Sequence, residues 1–86
     1  MDELPRPSED VVYRELGDES VLVHLVTNRI YALNPTAARF WSLLASGRGR
    51  GEIERELLDE FEVTETEVHA EIDRLVASLR DEGLVE

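Results

Sequence analysis

The sequence contains no cysteine and no lysine, and it has no long hydrophobic run. Without cysteine there is neither a disulfide framework nor a thiolate metal site, and this composition fits a cytosolic protein. No apolar stretch approaches the ~20 residues that cross a bilayer. The first residues also lack the basic and apolar regions of a signal peptide. The sequence therefore predicts a cytoplasmic protein that does not enter a membrane.

The chain is strongly acidic, with a formal net charge of -11. A field of this sign repels phosphate backbones, which argues against DNA or RNA as a partner. All nine basic residues are arginine, so each cation can form a bidentate pair with a carboxylate. With 86 residues, of which 42% are hydrophobic, the chain has room for one core and one domain.

Apolar runs in the first third of the chain predict three strands. The first two, Val11–Leu16 and residues 21–26, flank the dipeptide Gly17-Asp18, which is typical of a tight hairpin turn. The second run is apolar at almost every position, as expected for a central strand covered on both faces. A third strand, Arg29–Leu33, follows a turn at Thr27-Asn28, and no later segment predicts a fourth. Its outer edge should therefore be unpaired, or covered by another element.

The rest of the chain predicts three helices. Asn34 is a strong N-cap before a proline, so the first helix, residues 35–45, follows the third strand without a loop. The second helix spans residues 52–60. The third begins at the capping box of Thr64 and Glu67 and ends near Gly83. The predicted core residues of this half are Ala37, Phe40, Trp41, Leu44, Ile53, Leu57, Phe61, Val68, Ile72, Leu75, Leu79, Leu84 and Val85.

The order of these elements predicts an α+β domain. A three-stranded antiparallel sheet should precede a winged-helix-like half of three helices. Residues 1–9 contain two prolines and little apolar content, so we expect a flexible N-terminal arm there, followed by a single domain over residues 10–86.

No residue pattern in the sequence predicts an enzyme. The 20 acidic residues fall mostly on predicted outward faces or in loops, which is typical of a solvated acidic surface. His24 and His69 are the only histidines, and they lack the spacing of metal ligands. The alternation of glycine and arginine over residues 47–51 does not follow a strand, as a phosphate-binding loop would. We therefore expect no catalytic residue, no metal and no cofactor.

The third helix carries an apolar shoulder beside its core stripe. Val76 lies about 80° from Val68 at ~100° per residue, and His69, Asp73 and Arg80 share that side. Two interpretations are open. Val76 either widens the core stripe, or it forms the wall of a groove that faces the open strand. Such a groove would suit an extended peptide, which adds its backbone to the sheet and places alternate side chains in the groove.

Three residues near this groove have two interpretations each. Tyr31 and Trp41 are predicted to be core residues rather than ligand contacts, because large aromatic side chains dominate small cores. Arg29 begins the exposed strand, where it either pairs with an acidic side chain of a partner or protects the edge from unwanted pairing.

Several segments resemble a known family. The runs V-V-Y-R-E-L-G-D-E-S-V-L-V-H-L and R-I-Y-A-L-N-P-T-A-A-R-F-W-S-L-L, followed by a capped last helix that ends in D-E-G-L-V, are similar to the PqqD-like family. The resemblance covers about residues 10–86, and its most specific part is L-N-P-T-A-A at residues 33–38, followed by Trp41. The family includes leader-recognition elements of ribosomally made, modified peptides. The compact stand-alone form resembles the recognition half of a split maturation protein in lasso-peptide pathways.

The resemblance implies a non-catalytic, peptide-binding function. The leader of a precursor peptide would lie antiparallel along the third strand, extend the sheet to four strands and place apolar side chains against the third helix. The domain would deliver this leader to a separate leader peptidase, either alone or together with a cyclase. Matched by position, the implied contacts on the strand are Arg29, Ile30, Tyr31, Ala32 and Leu33, and those on the helix are Asp73, Val76 and Arg80, with Leu79 as the floor.

Three alternatives compete with this interpretation. The peptide chaperone of pyrroloquinoline quinone biosynthesis has the same fold and binds another peptide. A winged-helix nucleic-acid regulator would need a basic recognition helix, but residues 64–82 carry two arginines and six acids. A small enzyme would need a constellation of reactive groups, which the sequence lacks. Because an unpaired strand edge can also pair with itself, we expect either a monomer or a weak dimer.

Overall fold

Three antiparallel strands precede three helices in the computed structural model of the protein, which describes residues 4–86. The strands pair in the order β1-β2-β3. The predicted α+β fold, with the sheet first and the helices after it, is confirmed. The strands are β1 (Val11–Leu16), β2 (Glu19–His24) and β3 (Arg29–Leu33), and the helices are α1 (Pro35–Ala45), α2 (Arg50–Glu60) and α3 (Glu65–Asp81).

The hairpin between β1 and β2 turns at Gly17, as the sequence predicts. Gly17 has a φ of 66°, and Leu16 and Glu19 are paired on either side of the turn. A two-residue hairpin turn needs a positive φ at its first central position, which glycine adopts without a steric cost.

The second connection differs from the prediction. The strand expected over residues 21–26 is instead Glu19–His24, and residues 25–28 form the turn. The cause is local. His24 Nδ1 accepts hydrogen bonds from the backbone N–H groups of Val26 (3.3 Å) and Thr27 (3.4 Å), and Asn28 adopts a φ of 62°. A short polar side chain tolerates that left-handed conformation better than most residues, so the turn closes there.

The helix starts follow the predicted capping residues closely. Asn34 Oδ1 accepts a hydrogen bond from the Ala37 N–H at 2.8 Å, so β3 passes into α1 through a single residue. Thr64 and Glu67 form the reciprocal capping box of α3. Helix α2 begins two residues before the predicted position, at Arg50, whose side chain pairs with Glu54 one helical turn later.

The core lies between the inner face of the sheet and the helices. Leu22, Phe40, Ile53 and Ile72 are fully buried, and Trp41 is only 5% exposed, which confirms its predicted place in the core. The inner face of the sheet contributes Val11, Tyr13, Leu22, Tyr31 and Leu33 to the core cluster. The second face of β2, which we expected to be covered as well, adds no residue to this cluster within residues 4–86, but Val21 on that face is only 7% exposed.

The two ends of the described chain pair with each other. The Ser8 N–H donates to the Leu84 carbonyl at 3.0 Å, and the Glu86 N–H donates to the Arg6 carbonyl at 2.8 Å. Leu84 is buried, as is its neighbour in sequence, which confirms the predicted return of the C-terminus onto the core. The first three residues of the predicted arm lie outside the described residues, and the boundary at residue 10 stays a prediction. No helix within residues 4–86 is long and apolar enough to cross a membrane.

Candidate functional site

The outer edge of β3 is free of any strand in residues 4–86, because β3 is the last strand of the sheet. The orientation of its backbone groups follows from the register. The Leu25 N–H donates to the Asp10 carbonyl at 2.7 Å, in line with the β1–β2 register. In an antiparallel sheet, alternate residues bond to opposite neighbours. Leu22 and His24 therefore bond toward β3.

The partners of these β2 residues are also known from the register. His24 pairs with Arg29 and Leu22 pairs with Tyr31, so Arg29 and Tyr31 use their backbone groups inside the sheet. The residues between them, Ile30 and Ala32, consequently direct their backbone N–H and C=O groups outward. The edge thus offers four hydrogen-bonding groups to an added strand.

A cavity of about 230 Å³ lies between β3 and α3. Residues of α3 at positions i, i+3, i+4 and i+7 form one wall, because that spacing places side chains on one face of a helix. Apart from a serine and a glutamate on that wall and Asn34 at one end, the lining side chains are apolar or aromatic. The lining residues are Tyr31, Ala32, Leu33, Asn34, Ala37, Leu75, Ser78, Leu79, Glu82 and Leu84.

Four of the predicted contacts line this cavity, namely Tyr31, Ala32, Leu33 and Leu79. Ile30 belongs to the same strand edge, but its side chain alternates to the outer face of the sheet and is 66% exposed. Arg29 is exposed at the start of β3. The strand half of the predicted site is therefore brought together along one edge.

The helix half of the predicted site is different, since Asp73, Val76 and Arg80 do not line this cavity. Asp73 pairs with Arg50 of α2, and Val76 packs against the core cluster. Helical periodicity places Arg80 on the same side as these two residues. The assignment of this shoulder to the groove wall therefore stays a prediction, as does the alternative in which Val76 widens the core stripe.

The other shoulder of α3 faces β3 and carries Leu75 and Ser78, and the C-cap residue Glu82 follows on the same side. The sequence predicts Leu75 as a core residue, and Leu75 does pack against the core, whereas Ser78 and Glu82 are not predicted as contacts. The available signal was the small and polar Ser78 beside the core stripe, because a small side chain leaves room for an added peptide. A helical wheel alone does not tell which shoulder faces the strand, since that depends on how α3 crosses the sheet.

Asp73 forms a salt bridge with Arg50 of α2 instead of lining the cavity. The Arg50 side chain is only 11% exposed, its Nε donates to Glu54 Oε2 at 3.0 Å, and its Nη2 lies 2.9 Å from Asp73 Oδ1. Nη2 also donates to the His69 carbonyl at 3.3 Å. Burial alone would lower the pKa of Arg50, but the bonds to Glu54 and Asp73 outweigh it and raise that pKa above its usual value. Asp73 is therefore part of a clamp between α2 and α3.

A second cavity, of about 190 Å³, adjoins the first at Asn34. The C-terminal end of α2, the following turn and α3 supply an apolar part, and polar side chains lie at its rim. Hydrogen bonds from the backbone N–H and side chain of Thr64 lower the pKa of Glu67, so this rim carboxylate is charged at neutral pH. The remaining lining residues are Thr36, Leu57, Phe61, Val63, Val68 and Glu71.

No part of residues 4–86 gathers three or more histidine, cysteine, aspartate or glutamate side chains in a metal-binding arrangement. The candidate site offers backbone hydrogen bonding along the β3 edge, combined with an apolar cavity beside it. These are the two elements by which a folded domain binds an extended peptide.

Comparisons with known proteins agree with this geometry. A solved structure described as TbiB1 in complex with the TbiA(beta) leader peptide is 31% identical, with 94% of each chain covered and a TM-score of 0.87. Another, lasso peptide synthetase B1 complexed with the leader peptide, is 26% identical over 94% of this chain and 95% of that chain, also with a TM-score of 0.87. Among curated protein sequences, none matches significantly.

The family comparison covers most of the domain. The family model described as coenzyme PQQ synthesis protein D (PqqD) matches residues 19–85, which include β2, β3 and all three helices. The matched segment also contains the free strand edge and both walls of the cavity. The chain therefore belongs to the PqqD family.

Proposed function

We propose that this domain binds the leader segment of a ribosomally made precursor peptide, most closely that of a lasso peptide, and catalyses no reaction itself. The observation that carries the proposal is the free β3 edge beside the apolar cavity against α3. The two similar solved structures support it, because both are complexes with leader peptides.

The leader adds to the sheet as an antiparallel fourth strand. Its backbone pairs with the outward groups of Ile30 and Ala32, each hydrogen bond contributing a net ~0.5–1.5 kcal/mol. Every second leader side chain enters the cavity and packs against Leu33, Leu75 and Leu79. The backbone bonds supply affinity that is independent of sequence, whereas the cavity supplies selectivity.

The antiparallel direction also orients the leader on the domain. Residues toward the N-terminus of the docked segment lie at the Leu33 end of β3, where the chain passes Asn34. The second cavity begins at Asn34, so it lies beyond the N-terminal end of the docked strand. The C-terminal side of the leader, and the rest of the precursor behind it, leaves past Arg29.

The benefit of binding without catalysis is a high local concentration. A separate leader peptidase, alone or with a cyclase, receives a substrate that is already held in an extended form. The binding-competent form is the monomer, because a second copy of the chain on the β3 edge would compete with the leader for Ile30 and Ala32.

Fluorescence anisotropy tests this function. A labelled leader, taken from the precursor gene beside this one, is titrated with the protein, and a scrambled leader of the same composition is the control. Saturable binding of the native leader alone is expected. Equal binding of both peptides, or of neither, would contradict the proposal.

The same titration separates the alternative within the family. The family model is named for pyrroloquinoline quinone synthesis, so the precursor peptide of that cofactor is the relevant competitor. We expect it to leave the labelled leader bound at concentrations where unlabelled leader displaces it. Stronger displacement by the cofactor precursor would instead assign the domain to that pathway.

A further inference from the structure

The outer face of the sheet, away from the helices, carries a row of apolar side chains that ends at the free edge. Val12, Val23 and Ile30 are directly opposite one another on neighbouring strands. Directly opposite residues project to the same face of a sheet, so these three side chains form one continuous row. The row ends at Ile30, whose side chain is 66% exposed.

The neighbouring row on this face has a different character. It consists of Arg14, Val21 and Ala32, so it places a charge at one end and only a methyl group at the free edge. Farther along β1, Leu16 is opposite Glu19. Apolar surface at the β3 edge of this face is therefore concentrated at Ile30.

An added strand continues these rows. Because the backbone groups of Ile30 point outward, the leader residue opposite it forms a hydrogen-bonded pair with Ile30. The side chain of that leader residue projects to the outer face and lies beside Ile30, at a Cβ separation of ~5 Å. The leader residues opposite Tyr31 and Leu33 instead enter the cavity on the inner face.

We infer that Ile30 is a specificity-determining residue, which selects an apolar β-branched or aromatic side chain at one leader position on the outer face of the sheet. The inference rests on the proposed function and adds a second face to it. The leader position opposite Ala32, two residues nearer the leader N-terminus, tolerates substitution because Ala32 offers little surface for contact.

Reading the leader on both faces also fixes its register. The docked segment needs apolar side chains at two adjacent positions, opposite Ile30 and opposite Tyr31, rather than in strict alternation. A slip by one residue would move every leader side chain to the other face, so only one of these two apolar side chains would still lie opposite Ile30 or Tyr31. The inner cavity alone would discriminate against such a slip less strongly.

The test is a double-mutant cycle with the full chain and the native leader, read by anisotropy. Ile30→Thr keeps a β-branched residue in the strand and removes part of its apolar surface. Leu16→Thr is the matched control, because Leu16 is 60% exposed on the same face but lies on β1, away from the edge. We expect Ile30→Thr to weaken binding about two- to fivefold and Leu16→Thr to leave it unchanged.

A threonine scan of the leader then locates the paired position. One threonine substitution in the leader should weaken binding to the wild-type protein. The same substitution should cause no further loss of affinity when the protein already carries Ile30→Thr. A charge pair gives a second test. Ile30→Lys should weaken binding of the native leader, and the variant should bind more tightly to a leader with glutamate at that one position. A glutamate two residues earlier, opposite Ala32, should give no such gain.

The outcomes separate this inference from the proposed function. Binding of the native leader but not of the scrambled one supports the proposed function. If Ile30→Thr then binds the leader as tightly as wild type does, the inference about Ile30 alone is overturned. The same holds if the effect of Ile30→Thr is the same whichever leader position is substituted. If the wild-type protein binds neither peptide, both are overturned.

Discussion

Arg50 Nη2 lies 2.9 Å from Asp73 Oδ1 and joins the start of α2 to the middle of α3. The same guanidinium bonds to Glu54 within α2. Helix α3 forms one wall of the cavity beside β3. The clamp contacts α3 on the side that faces away from the free strand edge, and it therefore fixes the position of that wall.

Replacing Arg50 by methionine should destabilise the domain by about 1–2 kcal/mol, because the nearly buried cation satisfies carboxylates on two helices. Asp73→Asn should cost less than about 1 kcal/mol, since Asp73 is 60% exposed and solvent screens its charge interaction with Arg50. Urea denaturation followed by circular dichroism measures both. An Asp73→Asn variant less stable than Arg50→Met would show that the clamp is not centred on Arg50.

The two shoulders of α3 can be separated by a matched pair of substitutions. Leu75→Glu places a charge in the cavity beside β3, and it should weaken leader binding more than tenfold while the domain stays folded. Val76→Glu places the same charge at a position that packs against the core without lining the cavity, so its main effect should be a lower melting temperature. Anisotropy and thermal unfolding are measured on both variants. Loss of leader binding by a folded Val76→Glu variant, with Leu75→Glu unaffected, would support the assignment of Val76 to the groove wall made from the sequence.

Trp41 should be essential for stability rather than for binding. Its side chain is 5% exposed within the core, and Trp41→Ala should cost ~3–5 kcal/mol of unfolding free energy. For a domain of this size such a loss leaves little net stability. Chemical denaturation monitors the loss, with Ser42→Ala on the exposed side of α1 as control. A shift as small as that of the control would place Trp41 outside the core.

The capping box should make the stability of α3 depend on pH. Because the pKa of Glu67 is lowered in the folded state, the unfolded chain binds a proton more readily. The stabilisation is therefore complete above the unfolded value of 4.5 and is lost as the pH falls through the folded value. The melting temperature of wild type should exceed that of Glu67→Gln at pH 7, and the difference should shrink below about pH 4.5.

Glu65→Gln is the matched control for that measurement, because Glu65 is an exposed carboxylate in the same helical turn and takes no part in the capping box. The difference in melting temperature between Glu65→Gln and wild type should vary less with pH than the difference between Glu67→Gln and wild type. A Glu67→Gln difference that stays constant from pH 7 to pH 3.5 would mean that the carboxylate charge does not stabilise the cap.

Most of the fold was predictable because local signals agree with one another. Asn34 before a proline, the Thr64–Glu67 capping box and Gly17 each act over a few residues, and each lies where the sequence predicts. The end of β2 was not predictable in the same way. Val26 continues an apolar run, but side-chain bonds from His24 stabilise a turn there, and hydrophobic patterning does not report such bonds.

The strand side of the candidate site follows from the sequence more directly than the helix side does. A strand has two faces that alternate strictly, so the edge residues of β3 follow once β3 is known to be last. A helix presents shoulders on both sides of its core stripe, and only the crossing of α3 over the sheet decides which one faces β3. Leu75 and Val76 are neighbours in sequence, yet Leu75 lines the cavity and Val76 does not.

The pairing of Arg6 with Glu86 has a consequence for how the domain can be joined to other proteins. Because these two residues are hydrogen-bonded at 2.8 Å, both junctions of an insertion would emerge at one point of the surface. The domain could thus be grafted into an exposed loop of a larger enzyme without separating the ends of that loop, as circularly permuted and inserted domains require. The free edge of β3 would stay available in such a chimera, since neither junction involves that strand.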